Sequence, residues 1–298
     1  MFKCKKLARS ISIAAILLSQ LSTTLAADIT LGAWHADGSQ LWRTSFPLNQ
    51  TGGINPGSNN GASQLYYPQS GNYLTAVYEN QISPIKKFQI EAGLMGNIHH
   101  ANGSDSDWDY SQSQNLWYYG EFNTGGHSSY VNIDWKEKTG ANTEFFYGYT
   151  YRNNYFRMTD GLYSIEAYGA TADSLPALDS TYRMVYQGPH VGITAHSPLT
   201  AKLSLVGSLS YSPLILAQGN GWWNLRDLSF AHSGSAQMLD TSIGLRYAVV
   251  PNKATITLGY RYQWFSLFRG WESISPDISW EKATNIQRGF YIAGTTKI

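Results

Sequence analysis

From Ala201 to Ser212 the chain reads Ala-Lys-Leu-Ser-Leu-Val-Gly-Ser-Leu-Ser-Tyr-Ser. An extended strand there puts Leu203, Leu205, Leu209 and Tyr211 on one face and Lys202, Ser204, Ser208 and Ser210 on the other. The same period of two returns at Thr255–Trp264, where Ile256, Leu258, Tyr260, Tyr262 and Trp264 oppose Thr255, Thr257, Arg261 and Gln263. It returns again at Thr143–Tyr151, where Phe145, Tyr147, Tyr149 and Tyr151 oppose Glu144 and Thr150. The pattern predicts strands near 29–43, 62–81, 86–100, 122–136, 142–158, 181–196, 200–216, 237–250, 254–269 and 283–297. Connections at 82–85, 137–141, 197–199 and 251–253 are hairpin-sized, whereas 44–61, 101–121, 159–180, 217–236 and 270–282 are long and rich in Gly, Ser, Asn and Asp. A soluble β-sandwich would account for the alternation but would not need this asymmetry of loops. The expectation is therefore an all-β fold, a ten-stranded antiparallel transmembrane β-barrel with both termini and the short turns in the periplasm.

The start of the chain supports export. Lys3, Lys5, Lys6 and Arg9 precede an apolar stretch from Ile11 to Leu21, and Thr24-Leu25-Ala26 offers small residues for cleavage. The stretch is shorter than the ~20 residues of a membrane-spanning helix. Residues 1–26 are thus expected to be a secretory signal and 27–298 the barrel, placed in a bacterial outer membrane with long loops extracellular. The only cysteine, Cys4, would leave with the signal, and with it any thiol chemistry. Loss of four positive and no negative charges takes the formal +1 to −3, which argues against a nucleic-acid partner. Charged and aromatic residues are each 14% of the chain, an unusually uncharged surface for a soluble protein, and Tyr and Trp favour the lipid–water boundary. A mean hydropathy of −0.29 does not oppose this, because only one face of each strand meets lipid.

Chemistry is expected in the long connections. Asp105-Ser106-Asp107-Trp108 places two carboxylates two residues apart, on one face of an extended chain, where repulsion makes them share a proton or orient a water. A solvated acidic loop or a loose cation site is the plainer reading of the same residues. His99-His100 could join a metal site only if their opposed directions were reconciled. Trp222-Trp223 suits a ligand-stacking platform or an anchor at the membrane boundary. Inward Arg246 and Arg261 with Asp240, Asp134 and Glu144 are expected to form a lumenal charge network. Asn49-Gln50-Thr51 and Asn102-Gly103-Ser104 match glycosylation acceptors, a short motif frequent by chance.

Several stretches together resemble the omptin family of outer-membrane endopeptidases. They are Ala27-Asp28-Ile29-Thr30-Leu31-Gly32, Asp105-Ser106-Asp107-Trp108, Pro189-His190-Val191-Gly192-Ile193-Thr194, Gly148-Tyr149 and Tyr211-Ser212. The resemblance implies a ten-stranded barrel whose rim cleft sets an Asp-x-Asp pair against an Asp-x-His pair, with a water between them attacking the peptide bond. Asp105 and Asp107 would be the first half. Counted without gaps from Tyr211-Ser212, the second half falls on Gly221 and Trp223, neither of which is a base; Asp227 and His232 are the nearest replacements, at the wrong spacing. The resemblance implies no metal or organic cofactor, but lipopolysaccharide as an activating lipid. Its contact positions are only partly matched: Tyr149 fits, while the expected basic position falls on Asn153, with Arg152 beside it. Three functions follow as alternatives: surface binding or recognition of a polypeptide by a barrel with an incomplete protease site, a working aspartic-type endopeptidase, and a small channel.

Overall fold

The computed structural model describes residues 27–47, 60–110, 115–165 and 173–298; the expected signal segment and the Asn49 motif lie outside them. The alternating spans become twelve strands: β1 (Ala27–Phe46), β2 (Gly61–Pro68), β3 (Gly71–Gln81), β4 (Lys86–Met95), β5 (Ala101–Asp109), β6 (Asn115–Lys138), β7 (Thr143–Ile165), β8 (Asp173–Pro198), β9 (Leu203–Trp223), β10 (Leu228–Val250), β11 (Ala254–Glu272) and β12 (Ser279–Lys297). All pair antiparallel, and β12 returns to β1 from Asp28↔Lys297 to Ser45↔Ser279, so the sheet closes and leaves no edge. β2 and β3 both lie along β1, and β4 and β5 both lie along β6. Each couple is one interrupted stave, so the twelve strands build the expected ten staves.

The interruptions lie at one level of the barrel. Gln69 and Ser70 separate β2 from β3, and the Ser70 carbonyl accepts from the His99 amide in the gap between β4 and β5. Register breaks beside Pro189 on β8 and Pro213 on β9 follow from proline's missing N–H, which cannot join a ladder. Gly126, at φ 134°, is a position a side chain would strain, because a Cβ there would strike the Tyr155 carbonyl.

Below this level, toward the termini and short turns, the outer face is apolar, with Leu31, Leu74, Leu94, Ile193, Leu209, Ile243, Leu258 and Ile292 exposed. Tyr147, Tyr149, Tyr211, Tyr247 and Tyr260 are exposed among them. Above it the strands continue, but Asn102 and Glu121 now face outward. The expected long loops at 101–121, 159–180, 217–236 and 270–282 are thus largely strand. The 217–236 connection shrinks to a single 3-10 turn, Asn224–Arg226, with Asp227 left-handed at φ 46° behind it. With water outside and a lumen packed by rings and small residues inside, this upper wall loses the apolar outer face, which is why its composition looks like that of a loop.

The lumen is filled in layers. At the interrupted level, buried Arg152 hydrogen-bonds Gln263, Gln287 and Tyr73, the last at 2.6 Å. Gln69 and Asn154 join at 2.9 Å, Asn285 and Gln69 at 2.7 Å, and Ser128 and Asn154 at 2.5 Å. Arg152, beside the expected contact position Asn153, therefore does not supply the basic group there: Tyr151 and Asn153 take the outward positions and Arg152 is 1% exposed. Beneath this layer the charge network is also rearranged. Arg261 reaches across the lumen to Glu91 at 2.5 Å as well as to Asp240 at 2.6 Å, Asp134 pairs with His190 at 2.7 Å, and Glu144 pairs with Lys87 at 2.7 Å. Arg246 joins no ion pair among the described residues.

Candidate functional site

β5 is held between β2 and β6, with Asp105 opposite Leu65 and Gly120, and Asp107 opposite Ser63 and Tyr118. Residues two apart share a face, so both carboxylates enter the upper lumen, above the apolar band. Asp105 is 7% exposed, and one oxygen of each carboxylate is buried with no hydrogen-bond donor. Ser63 donates to Asp107, and the Arg226 guanidinium lies within electrostatic reach of both acids.

Burial raises both carboxyls, and the Asp107 charge pushes Asp105 higher still. Asp107 rises from 3.8 to about 6 against the opposing pull of Ser63 and Arg226. Between those two pH values the folded chain holds a proton that the unfolded chain has released, so this group's contribution to stability falls as pH rises through the window. Asp107→Asn escapes that penalty. It is expected to gain about 2 kcal/mol relative to the wild type between pH 4 and 7, a value reduced from the full shift because Asp107 keeps part of its surface in water. Urea unfolding in detergent across that range measures it; parallel curves for the two proteins would contradict it.

Opposite the acids stand β9 and β10. Gly221 and Trp223 occupy the two positions where the resemblance places Asp and His, and both lie within β9 rather than in a loop. A Cβ on Gly221 would meet the Phe230 ring. That ring packs 5.9 Å from Trp42 and 5.3 Å from His232. Trp223 carries Arg226 over its ring at 4.7 Å. Trp222 faces outward and is 41% exposed.

Neither proposed replacement joins the acids. Asp227 is an exposed turn residue. The His232 ring is sealed, with Nε2 at 2.8 Å from Glu272 and Nδ1 at 3.0 Å from the Tyr182 hydroxyl. With Glu272 accepting from Nε2–H, Nδ1 is left to accept the Tyr182 proton. His232 also stacks on Trp280 at 4.8 Å, and its side chain is 0% exposed, so this Glu–His–Tyr chain holds three staves together out of a substrate's reach. Sequence reasoning passed over Glu272 and Tyr182, although His232↔Glu272 is a direct cross-strand pair once the β10–β11 register is known. His99 and His100 are exposed between β4 and β5, and among the described residues no group of three ligating side chains could hold a metal.

The family model described as Pom, Protochlamydia outer membrane protein, matches residues 141–285. Among solved structures the fold is similar to the outer membrane protease OmpT from Escherichia coli, with TM-score 0.71 and 14% identity over 93% of this chain and 98% of that one. The translocator domain of the autotransporter NalP from Neisseria meningitidis overlaps at TM-score 0.37 and 10% identity over 97% and 94% of the two chains. A FadL homologue from Pseudomonas aeruginosa overlaps at 0.30 and 9% over 91% and 90%. These last two are too loose to carry an argument. No curated protein sequence matches this chain. The chain is an outer-membrane β-barrel protein, and the likeness to OmpT is one of fold.

Proposed function

We propose that this barrel recognises a polypeptide at the cell surface through its upper rim, and that it does not cleave peptides by a two-sided carboxylate and histidine site. In this reading the short turns and termini face the periplasm and the rim faces outward, following the usual asymmetry of such barrels. The observation that carries it is the occupant of the second half of the cleft: Gly221 with Phe230 filling its space, and beside it Arg226, a permanent cation that cannot act as a base. A pair of partly protonated carboxylates at the rim is suited to holding a basic segment. Lipopolysaccharide is a further proposed partner, on the outer wall where Arg183 donates to Asn153 at 2.5 Å and to the Tyr151 hydroxyl at 3.1 Å.

The endopeptidase reading keeps one favourable observation, the unpartnered carboxylate oxygens of Asp105 and Asp107, which are placed as a water-orienting pair would be. Refolded protein with lipopolysaccharide, incubated with fluorescent basic peptides, separates the two. The expected result is retention without cleavage, with affinity lowered about tenfold in Asp105→Asn/Asp107→Asn. Cleavage that is abolished by Asp107→Asn would overturn the proposal.

A further inference from the structure

At the end of the barrel opposite the rim, the lumen opens into a cavity of about 660 Å³, within the ~300–1,000 Å³ of small-molecule sites. Its ceiling is closed by the Arg152 layer, with Trp34 stacked on Tyr73 at 5.0 Å beneath it. The cavity is thus blind, a place where a solute is held rather than passed.

Its charges are segregated. On the arc formed by β3, β4, β6 and β7, Lys87 binds Glu79 at 3.0 Å and Glu144 at 2.7 Å, and Lys136 binds Glu79 at 2.8 Å. Arg261 is likewise consumed by Glu91 and Asp240. On the opposite arc, Arg246 of β10, Lys253 of the β10–β11 turn and Lys297 of β12 line the same cavity and form no ion pair among the described residues. Lys253 and Lys297 are neighbours, the Lys297 amide donating to the Lys253 carbonyl at 3.0 Å. The nearest carboxylate without an ion pair is Asp28, opposite Lys297 and within electrostatic reach of Arg246. Three cations outside ion pairs around one carboxylate make this arc locally positive, although the carboxylates of the other arc balance it over the whole cavity, and low-dielectric walls concentrate that local field.

We propose that this vestibule binds a small solute bearing two or more carboxylate or phosphate groups, held by Arg246, Lys253 and Lys297. It does not depend on the rim's role; only the solute's source, the periplasm, rests on the orientation given above. Citrate and tripolyphosphate serve as probes of the two anion chemistries, titrated calorimetrically into the full exported chain in a non-ionic detergent. At least one is expected to bind stoichiometrically, with affinity falling tenfold or more in Arg246→Gln and again in Lys297→Gln. Neither side chain holds another element in place, and unchanged heat-modifiable gel mobility would confirm that each variant is folded. Which probe binds more tightly decides between carboxylate and phosphate. Absence of binding by both, binding unaffected by either substitution, or equal binding of the polycation spermidine would overturn the proposal.

Discussion

Arg152→Ala is expected to turn a closed barrel into a conducting one and to lower its stability by about 1–3 kcal/mol, the usual cost of leaving a buried acceptor without its donor. The guanidinium has no carboxylate in contact. It is held by the amide oxygens of Gln263 and Gln287, by the Tyr73 hydroxyl, and by the faces of Tyr73, Tyr130 and Phe265, each 5.6–5.7 Å from its central carbon. Negative charge reaches it indirectly, since Gln263 donates its amide to Asp240 at 2.6 Å. Removing the cation leaves the buried Gln263 oxygen without a donor, while Gln287 keeps the Tyr73 hydroxyl at 2.8 Å, and water is the replacement available to Gln263. Planar-bilayer recording is the measurement: silent for the wild type, stepwise for Arg152→Ala, with a lowered urea midpoint in lipid vesicles. Arg152→Lys, lacking the planar fork, should fall between them. A conducting wild type would show instead that this layer does not seal the lumen.

The same residue lies where the sequence was legible. In the membrane-spanning wall, lipid on one side and water on the other impose a period of two, so β11 can be read from Ile256, Leu258 and Tyr260 alone. That period also assigns Arg152 to the lumen, because Tyr147, Tyr149 and Tyr151 take the outward positions. Above the interrupted level the outer face meets water instead of lipid, so the apolar half of the pattern is lost from it. Ser104 and Ser106 are polar on the outside while Gly103 and Asp105 lie inside, and Gly219 and Gly221 on β9 leave room for rings supplied by Tyr182 and Phe230. Such segments look like loops in composition and are strands in fact. Asp105 and Asp107 were legible as a pair because their common face is a local property. The state of the opposite wall was not, since it depends on a ring nine residues further along, folded back by a turn too tight to be inferred. Nor was the Arg261–Glu91 pair, which joins residues 170 apart in the chain.

Gly221→Asp is expected to unfasten the upper β9–β10 hairpin without creating a peptidase. The new Cβ would enter the space of the Phe230 ring. That ring cannot step aside cheaply, because it is packed on Trp42, Tyr182 and His232, and His232 is fixed in turn by Glu272. Overpacking of this kind costs about 1–3 kcal/mol, and a third carboxylate brought toward Asp105 and Asp107 adds repulsion in a site that already disfavours ionisation. Arg226, exposed at the hairpin tip, provides the reporter: limited trypsin digestion should leave the wild type intact and nick Gly221→Asp after this residue. In Gly221→Asp/Phe230→Ala the clash is gone, and resistance should return in part even though each change alone weakens the rim. Such non-additivity is the mark of two side chains competing for one volume. Equal resistance of Gly221→Asp and the wild type would mean that Phe230 does not hold that space, and the case against a catalytic residue at this position would fall with it.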